Sequence, residues 1–229
     1  MLAASPDSHP VPHESAEIPK RKKLWIVGAG GYGREVYWMT LSAYGFEIAW
    51  TVVGFLNDIG GALDEFPEYP RILGDTGYVP APDDLFVCAI GETAGRRRVC
   101  TKLKARGAQF VNLIQRTACV SPSAALGEGV IIEPFATLGA NCRVGDFTTI
   151  LGHVMISHDA KVGVAAQISP FACILGRASI GDEAMIGSHA VILPNVKVGA
   201  RATVGAGSVV IKNVPEGATV FGVPAMQIQ

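Results

Sequence analysis

From Val120 through Ile150 and Ile180 to Val204, every sixth residue is Val, Leu or Ile, fifteen times without a break. Four residues after each stands a mostly small side chain, such as Ala124, Ala136, Cys142, Ala160, Ala178 and Ser208. A period of six is too long for a helix face and too regular for a meander. It is the mark of a hexapeptide β-helix. Each hexad supplies one short strand and one corner, and three hexads close a triangular coil. At about 4.8 Å per coil, five coils stand roughly 24 Å tall. The aliphatic residue fills the axis, and the small residue lets the corner close beside it.

The period also sorts the remaining residues. The third and fourth hexad positions lie near corners and face outward, where a histidine costs no core packing. His153, His158 and His189 fall there. His158 is followed by Asp159. A neutral imidazole can take a proton from an attacking amine or hydroxyl, and a carboxylate beside it fixes the tautomer and favours the imidazolium. The competing reading for each of the three is an ordinary exposed histidine. A shared metal ion is not expected: His153 and His158 are on neighbouring faces, and His153 and His189 are two coils apart.

Before the repeat the pattern changes. Residues 24–29 and 48–56 read as strands, 85–90 as another, and 95–106 as a helix, which gives a parallel α/β unit. The turn Gly28-x-Gly30-Gly31-Tyr32-Gly33 joins its first strand to its first helix. Glycines there let backbone N–H groups approach a phosphate at the helix N-terminus, and a plain tight turn is the alternative. Asn57 and Asp58 end the second strand, where an acid can bond a ribose or a base. The unit is about half the size of a full dinucleotide-binding domain, which favours a mononucleotide-sized ligand over NAD. The expected layout is a disordered extension over 1–22, the α/β unit over 23–113, the β-helix over 114–211, and a C-terminal cap over 212–229.

A net charge of −1 gives no case for nucleic acid or an anionic membrane, and the basic run 20–23 reads as a solvated tail. No stretch is apolar enough to span a membrane or to serve as a signal peptide. Five cysteines, odd in number and widely spaced, form no disulfide or metal pattern, so reduced thiols and a cytoplasmic setting are expected.

The segments GAGGYGREV (28–36), GFLND (54–58), AIG (89–91), VNLIQRTACVSPSAALGEGV (111–130), SHDAKVG (157–163) and FGVPA (221–225) resemble a known family. The chain is similar to the bacterial sugar O- and N-acetyltransferases that join a short Rossmann-like domain to a left-handed β-helix: the sialic acid O-acetyltransferase type and the nucleotide-amino-sugar N-acetyltransferases. The left hand, acetyl-CoA as donor and a homotrimer with its acetyl site between neighbouring β-helices are what the resemblance implies. It also implies His158 as general base with Asp159 behind it, and Gly176 as a backbone donor near the acetyl carbonyl. Gln167, Ser188, Gly222, Val223, Pro224 and Ala225 then line the acetyl-CoA channel. Gly28, Gly30, Gly31, Tyr32, Gly33, Asn57, Asp58 and Gly91 form the nucleotide-sugar site. Three positions depart from the pattern: Tyr32 and Gln167 replace histidines, and Leu151 replaces an asparagine. They bear on which acceptor is used. N-acetylation of a nucleotide-linked amino sugar leads. O-acetylation of a sugar hydroxyl follows, then a non-catalytic sugar-nucleotide scaffold. A nucleotidyltransferase would need a larger N-terminal domain with its own lysine motif.

Overall fold

The computed structural model describes residues 21–46 and 49–228. Most of the expected N-terminal extension and the start of the expected second strand lie outside those residues. Lys22 and Lys23, read from sequence as tail, open the first strand.

The N-terminal unit is a five-stranded parallel sheet. Its strands are β1 (Lys22–Val27), β2 (Trp50–Leu56), β3 (Ile72–Gly74), β4 (Asp84–Cys88) and β5 (Gln109–Phe110), in the order β3-β2-β1-β4-β5. Helix α1 (Gly31–Ser42) follows β1, and α2 (Thr93–Lys104) follows β4. Leu24, Ile26, Val27, Phe55 and Phe86 are fully buried, as apolar runs in a two-sided parallel sheet must be.

The hexads fold as the period requires. Two-residue strands pair in parallel with the strand eighteen residues on, as Thr149 with Gln167 and Met155 with Cys173. Three sheets of six, five and eight strands form the faces of a prism. The spaced aliphatics, Leu138, Ile150, Ile168, Ile186 and Val204 among them, fill its axis. Twelve non-glycine corner residues, one per hexad from Phe135 to Arg201, hold φ between 52° and 63°. Such left-handed turns cost about 1–2 kcal/mol each for ordinary residues. Here ten of the twelve donate a backbone N–H to a carbonyl of the preceding coil, for example Asp159 N–H to Ala140 O at 2.9 Å and Arg177 N–H to His158 O at 3.1 Å, and Asn141 N–H donates to Ser123 Oγ at 3.1 Å. Three columns of corners result: Phe135, His153, Phe171, His189; then Asn141, Asp159, Arg177, Asn195; then Phe147, Ala165, Glu183, Arg201.

The segment after the repeat is more regular than a cap. Thr219–Phe221 adds a parallel strand to Thr203–Val204, and Met226–Gln227 turns back antiparallel on it.

The N-terminal unit sits on the Ala165 corner column. Arg96, fully buried, reaches from α2 into the prism. It donates from Nε to Phe147 O (2.9 Å) and from Nη2 to Ala165 O (2.9 Å) and Ala166 O (3.1 Å). Its Nη1 bonds Ile90 O (2.8 Å) and Gly91 O (3.2 Å). Arg97 adds ion pairs to Glu183 (2.6 Å) and Asp182 (3.4 Å).

Candidate active site

His158 stands at the Asp159 corner column with more than half of its side chain exposed. Its Nδ1 lies 2.8 Å from Asp159 Oδ2. That hydrogen bond is the main cause holding the Asp159 carboxyl below its usual range, so it is charged at neutral pH. A charged acceptor at Nδ1 places the ring proton there and leaves Nε2 as the base. Gly176, one coil on, faces Nε2: a Cβ at that position would lie 2.7 Å from it. The Gly176 N–H donates to no backbone or side-chain acceptor among the described residues. The corner thus presents a base with a fixed tautomer beside an unused backbone donor, the pair that acyl transfer needs.

The glycine turn divides by role. Gly33 is required by packing, since a Cβ would lie 2.2 Å from Gly28 O; Gly28 holds φ of +101° against Ala89. Gly30, Gly31 and Gly91 face open space. Helix α1 has Gly30 as N-cap, with no side-chain cap and no acid in its first turn. Among the described residues nothing caps its first N–H groups, which with the helix dipole can receive an anion. Helix α2 is different, because Glu92 caps Ala94 and Gly95 itself. Asn57 accepts from Ala29 N–H (3.1 Å) and donates to Ile59 O (2.7 Å), which ties the turn to the end of β2. The Asp58 carboxylate is engaged by Thr76, at 2.8 Å to its N–H and 3.0 Å to its Oγ1. Tyr32 turns inward; its hydroxyl is buried with no hydrogen-bond partner among the described residues, and burial raises its pKa well above the usual value.

The remaining expected residues are spread around the prism. Gln167 is on the eight-stranded face, and Ser188 adjoins the Phe135 corner column. Gly222 to Ala225 cover the C-terminal end: Gly222 N–H bonds Ser208 Oγ (3.1 Å) and Ala225 N–H bonds Val209 O (2.8 Å). Beside them an apolar groove of about 230 Å³ is lined by Val210, Ile211, Val214, Pro224 and Met226. Within one chain, therefore, His158, Asp159 and Gly176 meet at one corner, while the glycine turn belongs to a unit seated on another.

Two residues escaped sequence reading. Arg96 is one of three consecutive arginines, and nothing in the string marks the one that turns inward. Glu133 lies in the repeat, where its carboxylate accepts Gly152 N–H at 2.8 Å and burial pushes its pKa up to about 7. Among the described residues no three His, Cys, Asp or Glu side chains cluster as a metal site, and no helix is long and apolar enough to cross a membrane.

Comparison with known proteins finds matches in both the N-terminal unit and the repeat. Residues 23–103 match the PglD N-terminal domain, and 177–212 match the bacterial transferase hexapeptide (six repeats). GDP-perosamine N-acetyltransferase of Escherichia coli O157:H7 is 32% identical over 153 residues, 64% of this chain and 67% of that protein. The chain spans between a quarter and two thirds of the length of the curated relatives it matches. Two solved structures superpose with a TM-score of 0.81. The acetyltransferase domain of PglB from Neisseria gonorrhoeae FA1090, in complex with acetyl coenzyme A, is 28% identical and covers 91% of this chain and 100% of its own. PerB from Caulobacter crescentus, in complex with CoA and GDP-perosamine, is 29% identical and covers 90% and 97%.

Proposed function

The chain belongs to the hexapeptide-repeat sugar N-acetyltransferases with a PglD-type N-terminal domain, and from that premise we propose that it moves an acetyl group from acetyl-CoA to the amine of a nucleotide-linked amino sugar. The observation that carries the reading is the His158 ring, held by Asp159 at Nδ1 and facing Gly176 at Nε2. The acceptor amine attacks the thioester carbonyl as His158 takes its proton. The oxyanion that develops is met by the Gly176 N–H. The C–N bond forms, the C–S bond breaks, and the imidazolium returns its proton to the departing sulfur. Gln167, Ser188 and the Gly222–Ala225 end are the remaining acetyl-CoA contacts in this reading.

The uncapped start of α1, with Gly30, Gly31 and Gly91 open beside it, takes the diphosphate of the sugar nucleotide. Because that turn and His158 lie on different sides of one chain, the acceptor bound to one copy is acetylated by His158 of another. A cyclic homotrimer satisfies this geometry. The outward positions Cys119, Thr137, Met155, Cys173, Val191 and Val209 support it, since they line one prism face without a charge.

The test is incubation with acetyl-CoA and a panel of UDP-, GDP- and dTDP-linked amino sugars, read by mass spectrometry. One acetyl group gained on at least one amino sugar, and none on its deaminated hydroxy analogue, is expected. Acetylation of the hydroxy analogue alone would replace the amine with a hydroxyl as acceptor.

A further inference from the structure

The three prism faces carry different chemistry. On the five-stranded face the outward positions, stacked one per coil, are Ala125, Arg143, Lys161, Ser179 and Lys197. None is acidic. Arg143, Lys161 and Lys197 are exposed and take part in no ion pair among the described residues. Arg177 stands at the adjoining corner, one coil beyond Asp159; its Nε donates to Asn195 Oδ1 at 2.9 Å, which orients the guanidinium along the prism. Asp159, Lys161, Arg177, Ser179 and Lys197 together line a shallow cavity of about 580 Å³. Its one acid is already paired with His158. Three cations, none of them in an ion pair among the described residues, therefore converge on a cavity that begins at the His158–Asp159 pair, with Asp159 its one acid and Arg177 helping to hold that carboxyl low.

We propose that Lys161, Arg177 and Lys197 form the site for the phosphates of the acyl donor. This rests on acetyl-CoA being the donor. A thioester placed at His158 and Gly176 has its tail free to run along the prism in one of two directions. Toward the C-terminus it meets Arg177 one coil on and Lys197 two coils from Lys161. Toward the N-terminus it meets Arg143 alone, outside the cavity. The cations thus set the direction of the donor. The sugar nucleotide, also an anion, has its own site at the start of α1, so the two substrates are sorted by separate positive features.

The experiment uses the full chain and two donors. Acetyl-CoA carries the phosphates, and acetyl-pantetheine carries the same thioester without them. The Lys161→Gln/Lys197→Gln variant is expected to raise the KM for acetyl-CoA by about tenfold or more, the effect of losing charge-assisted hydrogen bonds. It should leave kcat/KM for acetyl-pantetheine within twofold of the parent. Arg143→Gln should change neither. Binding of adenosine 3′,5′-bisphosphate, followed by calorimetry without any acyl transfer, should weaken in the double variant and with added salt. An unchanged KM for acetyl-CoA together with unchanged bisphosphate binding overturns the proposal, as does an equal loss with both donors. If the parent binds the bisphosphate and the double variant does not, yet no acetyl is transferred, the donor assignment fails while the anion site stands.

Discussion

At the scale of the residue, the proposed chemistry turns on one imidazole that packs against little. More than half of the His158 side chain is exposed, so His158→Ala should change stability by no more than about 0.5 kcal/mol. Loss of the base should lower kcat roughly 10²- to 10⁴-fold. Asp159→Asn should cost less, because it alters only the tautomer and basicity of the ring. Gly176→Ala tests the same geometry from the other side: its Cβ would lie 2.7 Å from Nε2, so the ring must swing away. A displacement of that size should lower kcat about 10²-fold with a near-parental melting temperature. Thiol release and thermal melting, measured together, check all three. The sequence made His158 and Asp159 visible because the hexad period puts both at an outward corner. It gave no sign that Asn57 and Asp58 would be engaged with Ala29 and Thr76, since those partners come from separate parts of the chain. His153 and His189 were equally visible as outward histidines. In the fold they stack between and beside Phe135 and Phe171, with centroids 4.6–4.9 Å apart, in a ladder along another corner.

At the scale of the element, the junction between the α/β unit and the prism depends on groups that only the fold reveals. Arg96 is buried with five carbonyl acceptors drawn from both sides. Burial lowers its pKa, but a guanidinium stays charged at any working pH. Arg96→Met fills part of the space and leaves those carbonyls short of a donor. It should cost about 3 kcal/mol, whereas Arg97→Ala, which removes a half-exposed ion pair, should cost under about 1 kcal/mol; urea denaturation of both variants checks this. Glu133 is the other such group. Burial raises its folded pKa to about 7, above the value in the unfolded chain. Below the unfolded value both states are protonated and nothing is lost. As pH rises toward 7 the unfolded chain releases the proton first, so stability falls across that window and levels off above it. Glu133→Gln keeps an acceptor for Gly152 and removes the titration. Relative to the parent it should gain up to about 3 kcal/mol at pH 8 and little at pH 4, read by melting across that range. A periodicity argument sees the strands and corners of the prism because they repeat. It cannot see a junction made once.

At the scale of the whole molecule, the three faces and three corners of a nearly regular prism are given different work by side chains that the repeat leaves free. One face is uncharged, one carries cations, and the Ala165 corner column bears the α/β unit. Hexad spacing made the prism itself legible, and the family resemblance supplied its left hand. The division of labour among faces needed the coil closed and the N-terminal unit docked. The central proposal is an acetyl site built from two copies, which a mixing experiment tests most directly. His158→Ala removes the base. Gly31→Asp disables the other half: Gly31 faces open space, and an acid in the first turn suits the α1 dipole by about 0.3–1 kcal/mol, while its charge repels a diphosphate at that spot. Each variant alone should fold and transfer almost no acetyl. Co-expressed and purified as mixed assemblies, they should regain measurable acetyl transfer, because an intact glycine turn on one copy can face an intact His158 on its neighbour. Mixed assemblies that remain as inactive as the two variants apart would contradict a site shared between copies.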